Sequence, residues 1–154
     1  MANRIEIGFR EGIRDALGEK TRRNIIDHLR IPVDSVQTFE VYTIDGNLDA
    51  ADLERAAQGP LCDPVIQRYA IDRGLAGRFD WLIEVGYRPG VTDNVGKTAA
   101  EAVTLTTGKQ ARVYTSRQYA ITGVHDRCAL DTLTEGDARR IASDLDRHGF
   151  AATA

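Results

Sequence analysis

The sequence Ile83-Glu-Val-Gly-Tyr-Arg-Pro-Gly-Val-Thr-Asp-Asn-Val-Gly96 decides the fold, because a near copy of it opens the chain as Ile5-Glu-Ile-Gly-Phe-Arg-Glu-Gly-Ile-Arg-Asp-Ala-Leu-Gly18. Aligned without a gap, the two stretches carry the same residue at these pairs of positions: Ile5 and Ile83, Glu6 and Glu84, Gly8 and Gly86, Arg10 and Arg88, Gly12 and Gly90, Asp15 and Asp93, Gly18 and Gly96. So many matches in one register indicate a structural unit that occurs twice.

Each copy predicts a strand, a tight loop and a helix. The first residues alternate between apolar and polar side chains, with Ile5, Ile7 and Phe9 on one face, which is the period of a half-buried strand. In the loop that follows, a glycine supplies a positive φ, an aspartate accepts hydrogen bonds from the amides of a helix start, and a second glycine permits close packing. The predicted loop-shaping residues are Gly12, Asp15 and Gly18 in the first copy and Gly90, Asp93 and Gly96 in the second.

The rest of the first copy continues the alternation of helix and strand. Hydrophobic spacing and turn residues predict helices at 19–30 and 49–58 and strands at 37–44 and 65–71. The charged, glycine-containing stretch that follows reads as a junction. We therefore divide the chain into a first half at 1–72, a junction at 73–78 and a second half at 79–154.

The second copy repeats this order with two departures. Trp81 is predicted to anchor the sheet, and a helix at 97–107 and a strand at 112–121 match the first copy. An insertion at 124–132 then precedes a last helix, whose start at Thr134 and Asp137 resembles a capping box. Only residues 150–154 follow that helix, so we expect the second half to lack a full counterpart of the strand at 65–71.

Composition excludes several classes of protein. The net charge of −3 creates no field that gathers phosphate backbones, so nucleic acid is not an expected partner. The N-terminus has no apolar signal core, and no apolar run approaches the roughly 18 residues of a membrane span. Cys62 and Cys128 have no paired spacing, which is typical of reduced thiols in a cytoplasmic protein.

Motifs that suggest catalysis have simpler explanations. Gly90 to Thr98 resembles a phosphate-binding loop, but five residues separate its glycines where that loop needs four. His125 and Cys128 are a base and a nucleophile close in sequence, whereas catalytic sets are assembled across a fold, so a polar surface insertion explains them better. His28 and His148 fall near helix ends. We therefore predict no catalytic, cofactor-binding or metal-binding residue in this chain.

One set of charged residues leaves an alternative open. Glu6 and Glu84 lie with Arg10 and Arg88 on the polar faces of the predicted strands. Alternation alone accounts for their positions. If the two halves pair about a pseudo-twofold axis, the four side chains would instead converge on a shared cleft.

The second copy resembles a known family. A strand, the motif Arg88-Pro89-Gly90-Val-x-Asp93-x-x-Gly96, a helix and a Val-Tyr-Thr strand together are similar to the PurS family, the small subunit of phosphoribosylformylglycinamidine synthase. The doubling resembles the amino-terminal domain of the long, fused synthases. The resemblance covers residues 4 to about 150 and is looser in the first copy.

The resemblance implies an α+β fold of two tandem ferredoxin-like halves, with antiparallel sheets covered by helices. It also implies a non-catalytic scaffold in purine biosynthesis that bridges a glutaminase and an ATP-dependent synthetase and helps to enclose the ammonia path between them. ATP and magnesium are expected in the partner synthetase and not in this chain. Arg88 and Pro89 join the six loop residues as shaping or interface residues.

Two other functions remain open from the sequence. The doubled halves are also compatible with a regulatory module that binds a small metabolite between them. A small enzyme using His125 and Cys128 is the third alternative. Self-association into a homo-oligomer is compatible with each of these functions.

Overall fold

The computed structural model describes residues 2–124, 133–145 and 150–153. These residues form an α+β protein, which confirms the predicted class. The helices are α1 (Ala16–Asn24), α2 (Ala50–Ala56), α3 (Asn94–Thr107) and α4 (Glu135–Leu145), and π-helical turns at Ile25–Leu29 and Ala57–Leu61 extend α1 and α2. The strands are β1 (Ala2–Phe9), β2 (Val33–Gly46), β3 (Gln67–Ile71), β4 (Trp81–Tyr87), β5 (Ala111–Gly123) and β6 (Phe150–Thr153).

The strands hydrogen-bond in the order β3-β1-β2-β5-β4-β6. β1 pairs antiparallel with both β2 and β3, which places Ile5 opposite Tyr42 on one side and Ile71 on the other. β4 pairs antiparallel with β6, and Glu84 lies opposite Thr153.

The second half, for which we expected no full counterpart of the strand at 65–71, has a shorter one: β6 has four residues and β3 has five. β6 pairs along β4 as β3 pairs along β1. The stretch Phe150-Ala-Ala-Thr153 is short and lacks the alternation that marks a half-buried strand, so the sequence carries no strand signal there. The strands at 37–44 and 112–121 are present and longer than predicted, whereas the strand expected at 65–71 begins at Gln67.

The chain packs as two compact units that cut across the two sequence copies. The first unit contains residues 1–13, 39–75 and 89–116, and the second unit contains residues 14–38, 76–88 and 117–154. The strand β1 and the helix α1 of the first copy therefore belong to different units, as do β4 and α3 of the second copy. The contacts thus divide the chain at other positions than the sequence repeat, which divides it at 73–78.

The first unit has a core built from β1, β2 and β5 with α2 and α3. Ile5, Ile7 and Ile44 contribute from the strands. The helices and the turn after α2 supply mostly small and branched side chains. The remaining buried members are Leu53, Ala56, Ala57, Leu61, Cys62, Ala99, Val103 and Val113.

The second unit has its own core, in which α1, its π-helical turn and α4 cover β4 and parts of β2 and β5. The buried members are Ile25, Ile31, Val33, Val36, Ile83, Val85, Tyr119, Ile121, Leu133 and Ile141. The ring of Trp81 packs against this core, and its indole N–H donates to the carbonyl oxygen of Leu133 over 3.0 Å, which confirms the predicted anchor. The predicted capping box at α4 is also present, since Thr134 and Asp137 exchange hydrogen bonds of 3.2 Å.

A charged cluster holds the start of α2 in the first unit. Asp49 and Asp52 form a reciprocal capping box, with hydrogen bonds of 2.9 and 3.1 Å. The side chain of Asp52 is only 1% exposed and forms ion pairs with Lys109 and Arg55. Its hydrogen bonds from Lys109, from the Asp49 amide and from Arg55 lower the pKa of Asp52 to about 2, although burial acts in the opposite direction.

The depressed pKa of Asp52 makes a prediction for acid stability. The ordinary pKa of this carboxyl is 3.8, so its stabilising contribution is present above pH 3.8 and is lost as the pH falls through about 2. We expect Asp52→Asn to be less stable than the wild type at neutral pH, and this difference to shrink below pH 3.8. Urea unfolding midpoints measured across this range provide the test.

Asp45→Asn is the matched control, because Asp45 is exposed and its side chain makes no hydrogen bond or ion pair with the described residues. Its unfolding midpoint should follow that of the wild type throughout. A stability difference between Asp52→Asn and wild type that stays constant from neutral pH to pH 2 would contradict the assigned role of Asp52.

Candidate functional site

The loop between β1 and α1 is organised by a single carboxylate. Gly12 has a φ of 82°, in the left-handed region that favours glycine. Asp15 then accepts a hydrogen bond of 2.8 Å from the Gly18 amide at the start of α1. The same carboxylate accepts from the Thr38 amide on β2 at 2.6 Å and from the Thr38 hydroxyl at 2.9 Å. Asp15 therefore binds the helix to a strand far away in sequence.

The loop between β4 and α3 repeats this arrangement bond for bond. Gly90 has a φ of 87°. Asp93 accepts from the Gly96 amide at 2.6 Å, from the Thr115 amide on β5 at 2.6 Å and from the Thr115 hydroxyl at 2.9 Å. We call each set an aspartate clamp: Asp15, Gly18 and Thr38 form the first, and Asp93, Gly96 and Thr115 form the second.

The second glycine of each loop lies directly against a strand carbonyl. A Cβ atom at Gly18 would stand 2.3 Å from the carbonyl oxygen of Val36, and one at Gly96 would stand 2.5 Å from that of Val113. Both distances are shorter than any ordinary carbon–oxygen contact. The close approach of helix and strand that the clamp requires is therefore available only to glycine.

The polar groups of these two loops are already hydrogen-bonded within the fold, and this limits what the loops can bind. Each aspartate serves three donors that the fold holds in place, and each cap satisfies an amide of the first helical turn. The Gly96 amide, which a phosphate-binding loop would offer to its ligand, already donates to Asp93. The geometry therefore gives Asp15 and Asp93 a shaping role.

The other charged residues singled out in the sequence lie in separate surroundings. Glu6 is buried and accepts from the Arg4 guanidinium at 3.1 Å and from the Leu75 amide at 2.8 Å. Arg10 donates to the carbonyl oxygen of Pro64 at 3.0 Å. Glu84 accepts from the Gln118 amide group at 3.3 Å.

These contacts do not test the shared cleft. Glu6 and Arg10 belong to the first unit, whereas Glu84 and Arg88 belong to the second. Arg88 and Pro89 are exposed in the loop that leads to α3. The convergence of the four charged side chains stays a prediction.

The remaining cysteine and histidine side chains in the described residues show no sign of a catalytic site. Cys62 is buried, and burial raises the pKa of its thiol, which disfavours the reactive thiolate. His28 is exposed at the end of the π-helical turn that extends α1. His125, Cys128 and His148, with most of the predicted insertion, lie outside the described residues. Within the described ranges, no group of three or more potential ligands could hold a metal ion.

An open groove of about 830 Å³ lies in the first unit between α3 and the facing ends of β2 and β5. Its polar lining includes Asp45, Glu101, Gln110 and Arg112, whose side chains make no hydrogen bond or ion pair with the described residues. Both signs of charge are therefore available there. This groove has room for a small polar ligand.

Sequence reasoning missed the threonine half of each clamp. Thr38 and Thr115 follow their aspartates by 23 and 22 residues, a separation at which no local motif operates. The signal was present in the repeat, because the two threonines occupy equivalent positions when residues 35–44 are aligned with residues 112–121.

Comparison of the sequence with models of protein families and with curated proteins gives no match. In the part of the chain that the structure describes, no helix combines the length and apolar character needed to cross a bilayer.

The packed glycines give a direct test of the loop geometry. We expect Gly18→Ala and Gly96→Ala each to lower the free energy of unfolding by about 1–3 kcal/mol, because an added Cβ must push the helix away from the strand carbonyl. Equilibrium unfolding in urea measures the change.

Gly77→Ala is the matched control, because a Cβ built on Gly77 meets nothing within 4 Å and no proline follows it. Its unfolding midpoint should stay at or slightly above that of the wild type, since alanine restricts the unfolded chain. Equal midpoints for Gly96→Ala and Gly77→Ala would show that helix and strand are not held as closely as described.

Proposed function

We propose that this chain is a non-catalytic scaffold of phosphoribosylformylglycinamidine synthase in de novo purine biosynthesis. In this role it holds the glutaminase and the ATP-dependent synthetase together and helps to enclose the path that ammonia takes between them. The observation that carries the proposal is the pair of aspartate clamps, because the residues of the resembling motif are used in both copies to fix a helix on a strand.

The order of elements supports the finer description of the fold. The first copy runs β1-α1-β2-α2-β3 and the second runs β4-α3-β5-α4-β6. Each is a strand-helix-strand-helix-strand unit, and the antiparallel pairing of β1 with β3 recurs as that of β4 with β6. We propose that the two copies are ferredoxin-like halves that arose by internal duplication.

The way that each charged group is used also favours a structural role. The carboxylates of Asp15 and Asp93 bind backbone amides and threonine hydroxyls, and Glu6 binds a backbone amide and an arginine. Under this proposal the chemistry belongs to the partner proteins. ATP and magnesium bind the synthetase, glutamine is hydrolysed on the glutaminase, and all three parts work in the cytoplasm.

Reconstitution tests the scaffold directly. The separate synthetase and glutaminase of the same source are assayed for amidine formation with and without this chain, using either glutamine or ammonium chloride as the nitrogen source. We expect the chain to restore the glutamine-dependent reaction and to leave the ammonia-dependent reaction unchanged, because only the former needs the two partners to be held together.

Two results would overturn the scaffold. One is a glutamine-dependent rate that is the same with and without the chain, together with no co-elution of the three proteins. The other is glutaminase or ATPase activity in the pure chain.

A metabolite-binding module is the second candidate, and the groove beside α3 is the observation that favours it. Titration calorimetry of the chain against amino acids and nucleotides distinguishes the two functions. A scaffold gives no heat, whereas a metabolite module gives a saturable signal that Arg112→Ala reduces.

A further inference from the structure

The helix α3 has a second apolar stripe that its own unit does not cover. Its buried side consists of Gly96, Ala99 and Val103, which face the sheet. A different stripe consists of Val95, Thr98, Ala102 and Leu105, which we call the α3 seam; Ala102 is partly buried and the other three are exposed. Val95 is 54% exposed and Leu105 is 87% exposed.

The spacing of the α3 seam is that of a helix that packs on another helix. Its members follow each other by three, four and three residues, which is the period of the positions that form the contact line of a coiled coil. No charged residue occurs in the seam. A stripe of this kind in contact with water is costly, and covering it by a second helix would remove that cost.

The α3 seam is complementary to itself. When two copies of α3 lie antiparallel and cross at the level of Ala100, Val95 of each copy faces Leu105 of the other, and Thr98 of each faces Ala102 of the other. The small central pair permits close approach of the two helices, and the large residues meet at both ends. A twofold interface requires this kind of self-matching, because the same patch serves on both sides.

An apolar groove lies beside the part of the seam that Leu105 of the second copy would face in this arrangement. It has a volume of about 360 Å³ and runs beside the first half of α3, where Val95, Thr98 and Ala102 form one wall and Pro60 and Leu61 form another. Antiparallel docking brings the second copy's Leu105 to the Val95 end of this groove. In such a dimer, Leu105 of each copy would therefore lie at the groove of the other copy.

The charges at the edge of the seam agree with the same docking. Lys97 and Glu101 lie beside the seam on one side of α3, and neither side chain forms an ion pair with the described residues. Reversal of the second helix places Lys97 of one copy near Glu101 of the other, and the twofold axis generates the pair again. A parallel twofold pair would instead place the flanking residues of the two copies on opposite sides of the interface, where Lys97 and Glu101 could not pair between copies.

We propose that α3 is a self-association surface, through which a second copy of this chain docks antiparallel to form a twofold dimer. The inference rests on α3 and on the turn after α2, and it is independent of the proposed function. Because one helix pair buries less area than a standard stable interface, the dimer should depend on protein concentration.

Sedimentation equilibrium over a range of concentrations measures the dissociation constant. We expect Leu105→Lys to raise it about tenfold or more, because a buried apolar anchor becomes a buried charge. Val65→Lys is the matched control, since Val65 is 78% exposed and lies outside α3, and its dissociation constant should equal that of the wild type. Circular dichroism confirms that both variants are folded.

A charge exchange separates this docking from unspecific association. Lys97→Glu and Glu101→Lys should each weaken the dimer, and the double variant with both changes should restore it, because the opposite charges then meet in the reverse order. A chain that remains monomeric at every concentration would overturn the proposal. So would a dimer that Leu105→Lys leaves unchanged, or a double exchange that fails to restore association.

Discussion

The carboxylate shared between a helix start and a strand is the constraint on which the rest of this structure depends. Asp15 and Asp93 each bind an amide of their own helix and both the amide and the hydroxyl of a threonine on a neighbouring strand. Charged acceptors form hydrogen bonds about twice as strong as neutral ones, and here they also satisfy amides that a helix leaves unpaired. The positions of α1 and α3 on the sheet follow from these contacts.

The clamps also explain how a doubled sequence forms units that do not follow its copies. Thr38 is the last residue of the second unit's segment 14–38, and Thr115 lies one residue before the end of the first unit's segment 89–116. The first clamp therefore binds β2 where the second unit's part of that strand ends. The second clamp binds β5 close to the end of the first unit's part. The strand that opens a copy and the helix that follows it separate at the loop, where Gly12 or Gly90 turns the chain.

Local signals in the sequence were sufficient to predict the loops and most helices and strands. Glycine at a positive φ, aspartate at a helix start and alternating Ile5 and Ile7 each act within a few residues, so their spacing is visible in the chain. Contacts between residues far apart in the chain could not be predicted from the sequence. Asp52 pairs with Lys109, and Asp15 binds Thr38, only because the folded chain brings these distant residues together. The strand β6 was missed because backbone pairing to β4, and no side-chain pattern, defines it.

The most direct measurement of the central claim is the hydrogen exchange of four backbone amides, those of Gly18, Thr38, Gly96 and Thr115, followed by NMR. All four donate to a clamp aspartate, so they should exchange only through openings that break the packing of helix on strand. The amides of Gly12 and Gly90, in the same exposed loops, should exchange orders of magnitude faster. If the four clamp amides instead exchanged as fast as those of Gly12 and Gly90, the clamps would not be holding the helices, and this account of the fold would be wrong.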